Sequence, residues 1–294
     1  MDDKISIITV TYNAAATLED TILSIIKQTY PNYEYIIVDG GSTDNTLEII
    51  KKYQHKLAHW VSEKDSGIYE AMNKGIKASN GKWLIFLGAD DVLYTNEVLN
   101  DIFLNNETDS IDFLYGDVIM KSKGTVFGGK WSYYKLVNRN INHQCIFYNR
   151  TIFEEQGFYN TKYKILADYE FNLRIFRKPY FKKKYIPQVV SVYNNRGISN
   201  QVLDEDFYVD QLEYFINTEK LSPGDYRLQT YFFFYGFTQL LKHKRATGFK
   251  NILHAIIFGR RKFFYCFFCV KYFFSLLGFG KKIRSSFVLK GQSN

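Results

Sequence analysis

Apolar and polar positions fall into alternating blocks along the first hundred residues, and the period changes from block to block. SIITV (6–10) is a short β-branched run of strand type. TLEDTILSII follows, with Leu18, Ile22, Ile25 and Ile26 on one helical stripe behind a capping-box spacing of Thr17 and Asp20. The theme then repeats. Residues 35–38 read as a strand, Gly40-Gly41 as a tight turn, and Ser42, Thr43 and Asp44 as caps for a helix carrying Leu47, Ile49 and Ile50. GIYEAMNKGIKASNG reads as a helix ended by Asn80-Gly81, and WLIFL as a fully buried strand.

Strand, helix, strand, helix in this order predicts an α/β fold whose parallel sheet is covered on both faces. Ligands of such sheets bind where strands end and loops begin. Asp39 closes its strand, and Asp90 and Asp91 follow closely on WLIFL. Most aspartates after strands cap a turn or helix, and Asp44 is read that way. A cap needs one carboxylate, however, and two adjacent ones repel, so Asp90-Asp91 points to a cation.

Composition refines this picture. With 294 residues and 46% hydrophobic content the chain can bury one main core with an appendage. Three cysteines without a regular framework favour a reducing compartment, and MDDKISIITV lacks the features of a signal peptide, so a cytosolic enzyme is expected. The net charge of +8 is unevenly spread. Residues 1–225 hold 30 acidic and 25 basic side chains, whereas residues 226–294 hold 13 basic and no acidic ones.

That basic stretch is also aromatic. FFYCFFCVKYFFSLLGF (263–279) is flanked by Arg260-Arg261-Lys262 and by Lys281, Lys282 and Arg284. As a helix it would span roughly 25 Å, short of the ~30 Å hydrocarbon core, with Lys271 near its middle. An in-plane helix on anionic lipid is therefore expected, with packing on the catalytic domain as the competing reading. TYFFFYGFTQLL reads as a core helix. No nucleic-acid partner is expected, since the apolar run is dense and no recognition motif is present. Cys266 and Cys269, with one other cysteine in the chain and no adjacent histidine, do not make a zinc site.

Three stretches together resemble the glycosyltransferase family 2 pattern: ITVTYNAAATLEDTILSIIKQTYPNYEYIIVDGGSTDNT, SEKDSGIYEAMNKGIKASNGKWLIFLGADD and KILADYEFNLRIF. The resemblance covers roughly the first 200 residues and is similar to the bacterial branch that builds O-antigen, capsule or exopolysaccharide units. It implies a GT-A fold, a mixed and mainly parallel sheet flanked by helices. It also implies transfer of sugar with inversion. A catalytic domain over 1–200 and a helical, membrane-associating region over 201–294 are expected.

The chemistry implied by the resemblance assigns residues. A nucleotide-sugar donor releases a diphosphate whose growing charge needs a cation, and oxygen ligands suit Mn²⁺ or Mg²⁺. Asp91 is the expected metal ligand, and Asp90 faces the ribose and metal region. Asp39 accepts from the base, Thr11 and Tyr12 line the nucleoside pocket, and Asp65, Asn73 and Lys74 lie near the donor, Asn73 alternatively as a buttress of the turn. Ala-Asp-Asp stands where Asp-X-Asp is common, which leaves the division of labour between Asp90 and Asp91 open. Inversion needs a base for the acceptor hydroxyl, and Asp168 occupies that motif position, although Ala167 replaces its usual acidic neighbour. Glu170 is the rival. His143, Gln144 and Arg196 are assigned to the acceptor or diphosphate, with a structural histidine as the alternative for His143. The implied acceptor is a sugar on a polyprenyl diphosphate carrier, met by a cytoplasmic enzyme at the inner face of the cell membrane. A nucleotidyltransferase lacks its Gly-rich basic loop here, while a nucleotide-sugar binding protein without catalysis remains the other reading.

Overall fold

The computed structural model describes residues 3–194, 204–242 and 244–259. Arg196 and the aromatic run 263–279, with Cys266 and Cys269, lie outside the described residues. The chain divides into two units, one of Met1–Tyr133 with Ile141–Asn195 and the other of Tyr134–Asn140 with Arg196–Asn294.

The first unit is built on strands β1 (Ile5–Thr11), β2 (Tyr33–Asp39), β3 (His59–Ser62) and β4 (Trp83–Gly88), which pair in parallel in the order β3-β2-β1-β4. Every residue of β1 is buried, as an interior parallel strand requires. The sheet continues beyond β4 with mixed pairing. Strand β5 (Val92–Leu93) is antiparallel to β9 (Lys183–Tyr193), and β6 (Phe113–Met120) lies parallel to β9 and antiparallel to β7 (Thr125–Phe127) and β8 (Ile146–Asn149). The pairing of β4 with β8 joins the two halves.

Helices cover the sheet because their apolar stripes have nowhere else to go. In α1 (Leu18–Ile26) Leu18, Ile22 and Ile25 are fully buried, each stabilising by about 1.5–3 kcal/mol. The capping box does not form: Thr17 is the N-cap, but its side chain makes no capping bond. The helix α2 (Thr46–Tyr53) packs shallowly, burying Thr46 and Ile50; its N-cap is Asn45, whose side chain makes no capping bond, and Asp44 just before it accepts from the Thr46 N–H at 3.0 Å. In α3 (Ile68–Ala78) Gly75 has a packing reason, since a Cβ there would stand 2.4 Å from Ile8 Cγ2 on β1. Two shorter helices of this unit, α4 (Val98–Phe103) and α6 (Arg150–Gln156), precede α7 (Ala167–Phe176), while α5 (Tyr133–Leu136) falls almost wholly in the second unit.

The described part of the second unit contains α8 (Glu205–Asn217), α9 (Gln229–Leu241) and α10 (Arg245–Phe258). The expected core helix is α9, which buries Tyr231, Phe233, Phe234 and Phe237. Tyr231 packs against Phe207 and Phe215 of α8. Gly236 of α9 and Gly248 of α10 let those two helices touch, since a Cβ on Gly236 would lie 2.8 Å from the Gly248 carbonyl. No described helix is long and apolar enough to cross a membrane.

Candidate functional site

The carboxyl ends of β1, β2 and β4 lie side by side, with Thr11 in register with Asp39 and Val10 with Gly88. Two groups of side chains gather there.

The first surrounds Asp39, which is fully buried. Its carboxylate accepts from the backbone N–H of Gly41 at 3.1 Å and Ser42 at 2.9 Å and from the hydroxyls of Ser42 and Ser62. These bonds fix the turn after β2. Asp65 lies over the same turn, close enough that a Cβ on Gly40 would come within 2.7 Å of Asp65 Oδ2 and displace the carboxylate. Burial raises the Asp65 pKa, with lesser contributions from Glu70 and Asp39. Asn13, at a left-handed φ of 49° that asparagine tolerates, ties the loop after β1 to this turn, accepting from the Thr43 N–H at 2.8 Å. Thr11 Oγ1 is buried without a hydrogen-bond partner, and Tyr12 beside it is 61% exposed. A buried lone hydroxyl and an open aromatic ring at one strand end suit a ligand that presents both polar edge and flat face.

Asn73 and Lys74 both have protein partners. The Asn73 amide pairs in both directions with the Tyr159 backbone, donating to its carbonyl at 2.9 Å and accepting from its N–H at 3.1 Å. Asn73 is thus a buttress. Lys74 forms ion pairs with Glu63 at 2.8 Å and Glu70 at 3.4 Å, which turns its charge toward acidic side chains.

The second group lies around Asp90 and Asp91. Asp91 is 2% exposed; its Oδ2 accepts from Gln144 Nε2 at 2.8 Å and its Oδ1 from the Asn194 N–H at 2.9 Å. The short β5–β9 pairing brings Asn194 to this place. Burial, and then the charge of Asp90, push the Asp91 carboxyl up to about 6. Burial raises Asp90 as well. Gly88 lets the acids fold back, since a Cβ there would stand 2.8 Å from Asp91 Oδ2 and 3.1 Å from Asp90 Oδ1.

Next to Gln144, His143 Nδ1 sits 3.4 Å from Asp168 Oδ2. Burial works against a charged imidazole, but Asp168, helped by Asp91 and Asp90, raises the His143 pKa above its usual value. Asp168 lies in the first turn of α7 and is 7% exposed. Its Oδ1 lies 2.8 Å from the hydroxyl of Tyr69, which shares its proton with the Ile165 carbonyl, also at 2.8 Å. Glu170, the rival carboxylate, pairs with Arg174 at 2.9 Å, one turn along the same helix. Tyr69 is the residue that sequence reasoning missed: it lies in the matched motif, but an apolar-looking helix position gives no sign that its hydroxyl reaches a carboxylate almost a hundred residues away.

The acids fit a hard cation. Two adjacent carboxylates, both raised by burial and Asp91 further by the charge of Asp90, form an oxygen-rich, negatively charged corner with Gln144 Oε1 buried beside them without a hydrogen-bond partner. Among the described residues no three His, Cys, Asp or Glu side chains form a cage.

Comparison with known proteins matches the "Glycosyl transferase family 2" profile over residues 6–207. The chain belongs to glycosyltransferase family 2. A PGL/p-HBAD biosynthesis glycosyltransferase of Mycobacterium tuberculosis (strain ATCC 25177 / H37Ra) is 42% identical over 209 residues, 69% of this chain and 81% of the relative. The UDP-Glc:alpha-D-GlcNAc-diphosphoundecaprenol beta-1,3-glucosyltransferase WfgD of Escherichia coli is 30% identical over 166 residues, 54% of this chain and 65% of that protein. Among solved structures, S. aureus TarS 1-349 in complex with UDP-GlcNAc superposes with a TM-score of 0.63 at 21% identity, covering 86% of this chain and 80% of that one. That likeness shows the GT-A fold of this family 2 member.

Proposed function

We propose that this family 2 enzyme is an inverting glycosyltransferase that moves a sugar from a UDP-sugar to a lipid-linked glycan in surface polysaccharide biosynthesis. Catalysis is assigned to the first unit and the membrane surface to the second, and the enzyme is read as working at the cytoplasmic face of the cell membrane. The observation that carries the reading is one short segment, His143-Gln144, contacting both acids the reaction needs. His143 stands beside Asp168 and Gln144 donates to Asp91. WfgD, a relative whose name specifies a UDP-Glc donor and a diphosphoundecaprenol acceptor, supports the donor and acceptor classes.

In this reading Asp65, Thr11 and Tyr12 lie at the nucleoside over the turn that Asp39 fixes, and Asp90 and Asp91 would hold Mn²⁺ or Mg²⁺ at the diphosphate. The ion, when bound, supplies positive charge to the departing diphosphate. Asp168 accepts the acceptor hydroxyl proton as that oxygen bonds to the anomeric carbon, whose bond to the diphosphate breaks with the electron pair leaving on the nucleotide. Attack opposite the leaving group inverts the centre. Tyr69, anchoring Oδ1, acts as a positioning residue for Asp168.

The purified chain is expected to transfer sugar from a UDP-sugar to a polyprenyl-diphosphate-linked sugar with Mn²⁺ or Mg²⁺ present. Full turnover in excess chelator would remove the ion from the scheme. Calorimetric donor binding without turnover on any lipid-linked acceptor would favour the non-catalytic binding protein.

For Tyr69→Phe, kcat should fall about tenfold or more, the scale of a hydrogen bond to a charged group, with donor Kd within about twofold. Single-turnover transfer and calorimetry separate the two. A variant that lost donor affinity and kcat together would indicate a general packing role for Tyr69 instead.

A further inference from the structure

A helix on the surface of a water-soluble unit ordinarily turns its apolar stripe inward and a polar one outward. The helix α10 departs from this. Gly248, Ile252 and Ala255 are buried, with Gly248 against α9, yet the outward positions Phe249, Leu253 and Ile257 are also apolar, and they are 63%, 57% and 53% exposed. Spaced four residues apart, these three form a continuous stripe along the helix. Lys250 is exposed along one flank, and exposed Lys244 precedes the first turn.

We propose that this stripe is the face of the protein that seats on an anionic lipid bilayer. The inference rests on the membrane-surface reading above and gives it a location, on a helix preceding the aromatic run that sequence reasoning singled out. Charge complementarity selects the occupant. Exposed Lys244 and Lys250 stand beside the stripe, and from residue 226 onward the sequence carries 13 basic and no acidic side chains, a balance that favours a negatively charged plane. A nucleic acid would be met by basic and hydrogen-bonding groups along the stripe, not by Phe, Leu and Ile. A helix with apolar side chains flanked by lysines suits the boundary between headgroups and acyl chains, where the rings and branches leave water while the amines reach phosphates. The 14-residue α10 is about 21 Å long, which suits it to lying in the interface and not to crossing.

The test is flotation of the full chain with vesicles of phosphatidylglycerol and phosphatidylcholine in equal parts, and with phosphatidylcholine alone. The unmodified chain is expected to float with the anionic vesicles, more weakly in high salt, and to remain largely unbound with the zwitterionic ones. F249E/L253E should lower partitioning about tenfold or more, because two exposed apolar anchors become charged. L104E/V126E makes the same charge change at two exposed apolar positions of the first unit and should stay within about twofold of the unmodified chain. Flotation of the unmodified chain that F249E/L253E leaves intact would overturn the assignment of the stripe. If F249E/L253E instead lowered the melting temperature with flotation unchanged, the stripe would be covered by the chain's own residues 260–294, and the proposal would again fail. Absence of flotation by the unmodified chain would overturn the membrane reading itself and this assignment with it. Equal binding to both vesicle types would remove the anionic lipid as the partner.

Discussion

Asp168→Asn is expected to slow sugar transfer about a thousandfold while leaving nucleotide-sugar affinity within about threefold, because general-base assistance contributes on the order of 10²–10⁴ and the donor contacts lie elsewhere. The substitution is nearly isosteric. An asparagine Oδ1 can still accept from Tyr69 and from the Tyr169 N–H, the partners of the native Oδ1 at 2.8 Å each, so the start of α7 should hold its place. What is lost is a carboxylate able to take a proton. Rapid-quench transfer assays beside calorimetric titration of the donor would read the two quantities. Unchanged turnover would remove Asp168 as the base and move attention to His143, the next proton acceptor at hand.

Asp91→Asn should have opposite effects on activity and on stability. Transfer should drop about a hundredfold or more, on the scale of losing one preorganised electrostatic stabiliser of the departing charge. The metal-free protein, by contrast, should become harder to unfold at neutral pH. The Asp91 carboxyl is pushed up to about 6 by burial and by Asp90, against 3.8 for the ordinary side chain, so between these values the folded state binds more protons than the unfolded one. Stability from this group is therefore full below about pH 4 and is lost as pH rises through about 6, a loss of roughly 3 kcal/mol. Asparagine removes the ionisation. Its melting temperature without metal at pH 7 should exceed that of the native chain by about 3–5 °C, and the advantage should vanish near pH 4. Added Mn²⁺ should narrow the gap by stabilising the native chain alone, and more strongly as pH rises, since binding favours the deprotonated acid. Melting curves without metal that crossed in the reverse sense would show that Asp91 is not under electrostatic load.

The parts of this enzyme that follow from local pattern were legible in the sequence. Period and turn residues placed β1, α1, β2, α3 and β4, and thereby set Asp39, Asp90 and Asp91 at one edge of the sheet. The second half of the sheet was less accessible. The antiparallel pairing of β4 with β8, and β5 reaching β9 through only two residues, are contacts of long sequence separation with no turn signature of their own. The capping box after β1 failed for a related reason: the loop is held by Asn13, Ser42 and Thr46 from across the turn, so Thr17 need not serve the helix end. Side-chain partners were the least visible. Asn73 reads equally well as a donor contact or a buttress until Tyr159 is seen against it, and the hydroxyl of Tyr69 looks like core until Asp168 is found beside it.

Tyr69 and Asn73 stand one turn apart on α3, and both reach into the segment that runs from Tyr159 to Asp168. The helix that follows Asp65 therefore also fastens the stretch carrying Asp168. Recombining halves of related enzymes, with a crossover anywhere between α3 and Tyr159, would separate these partners. A chimaera built to exchange donor preference would inherit a loosened base unless residues 159–168 travelled with their own α3.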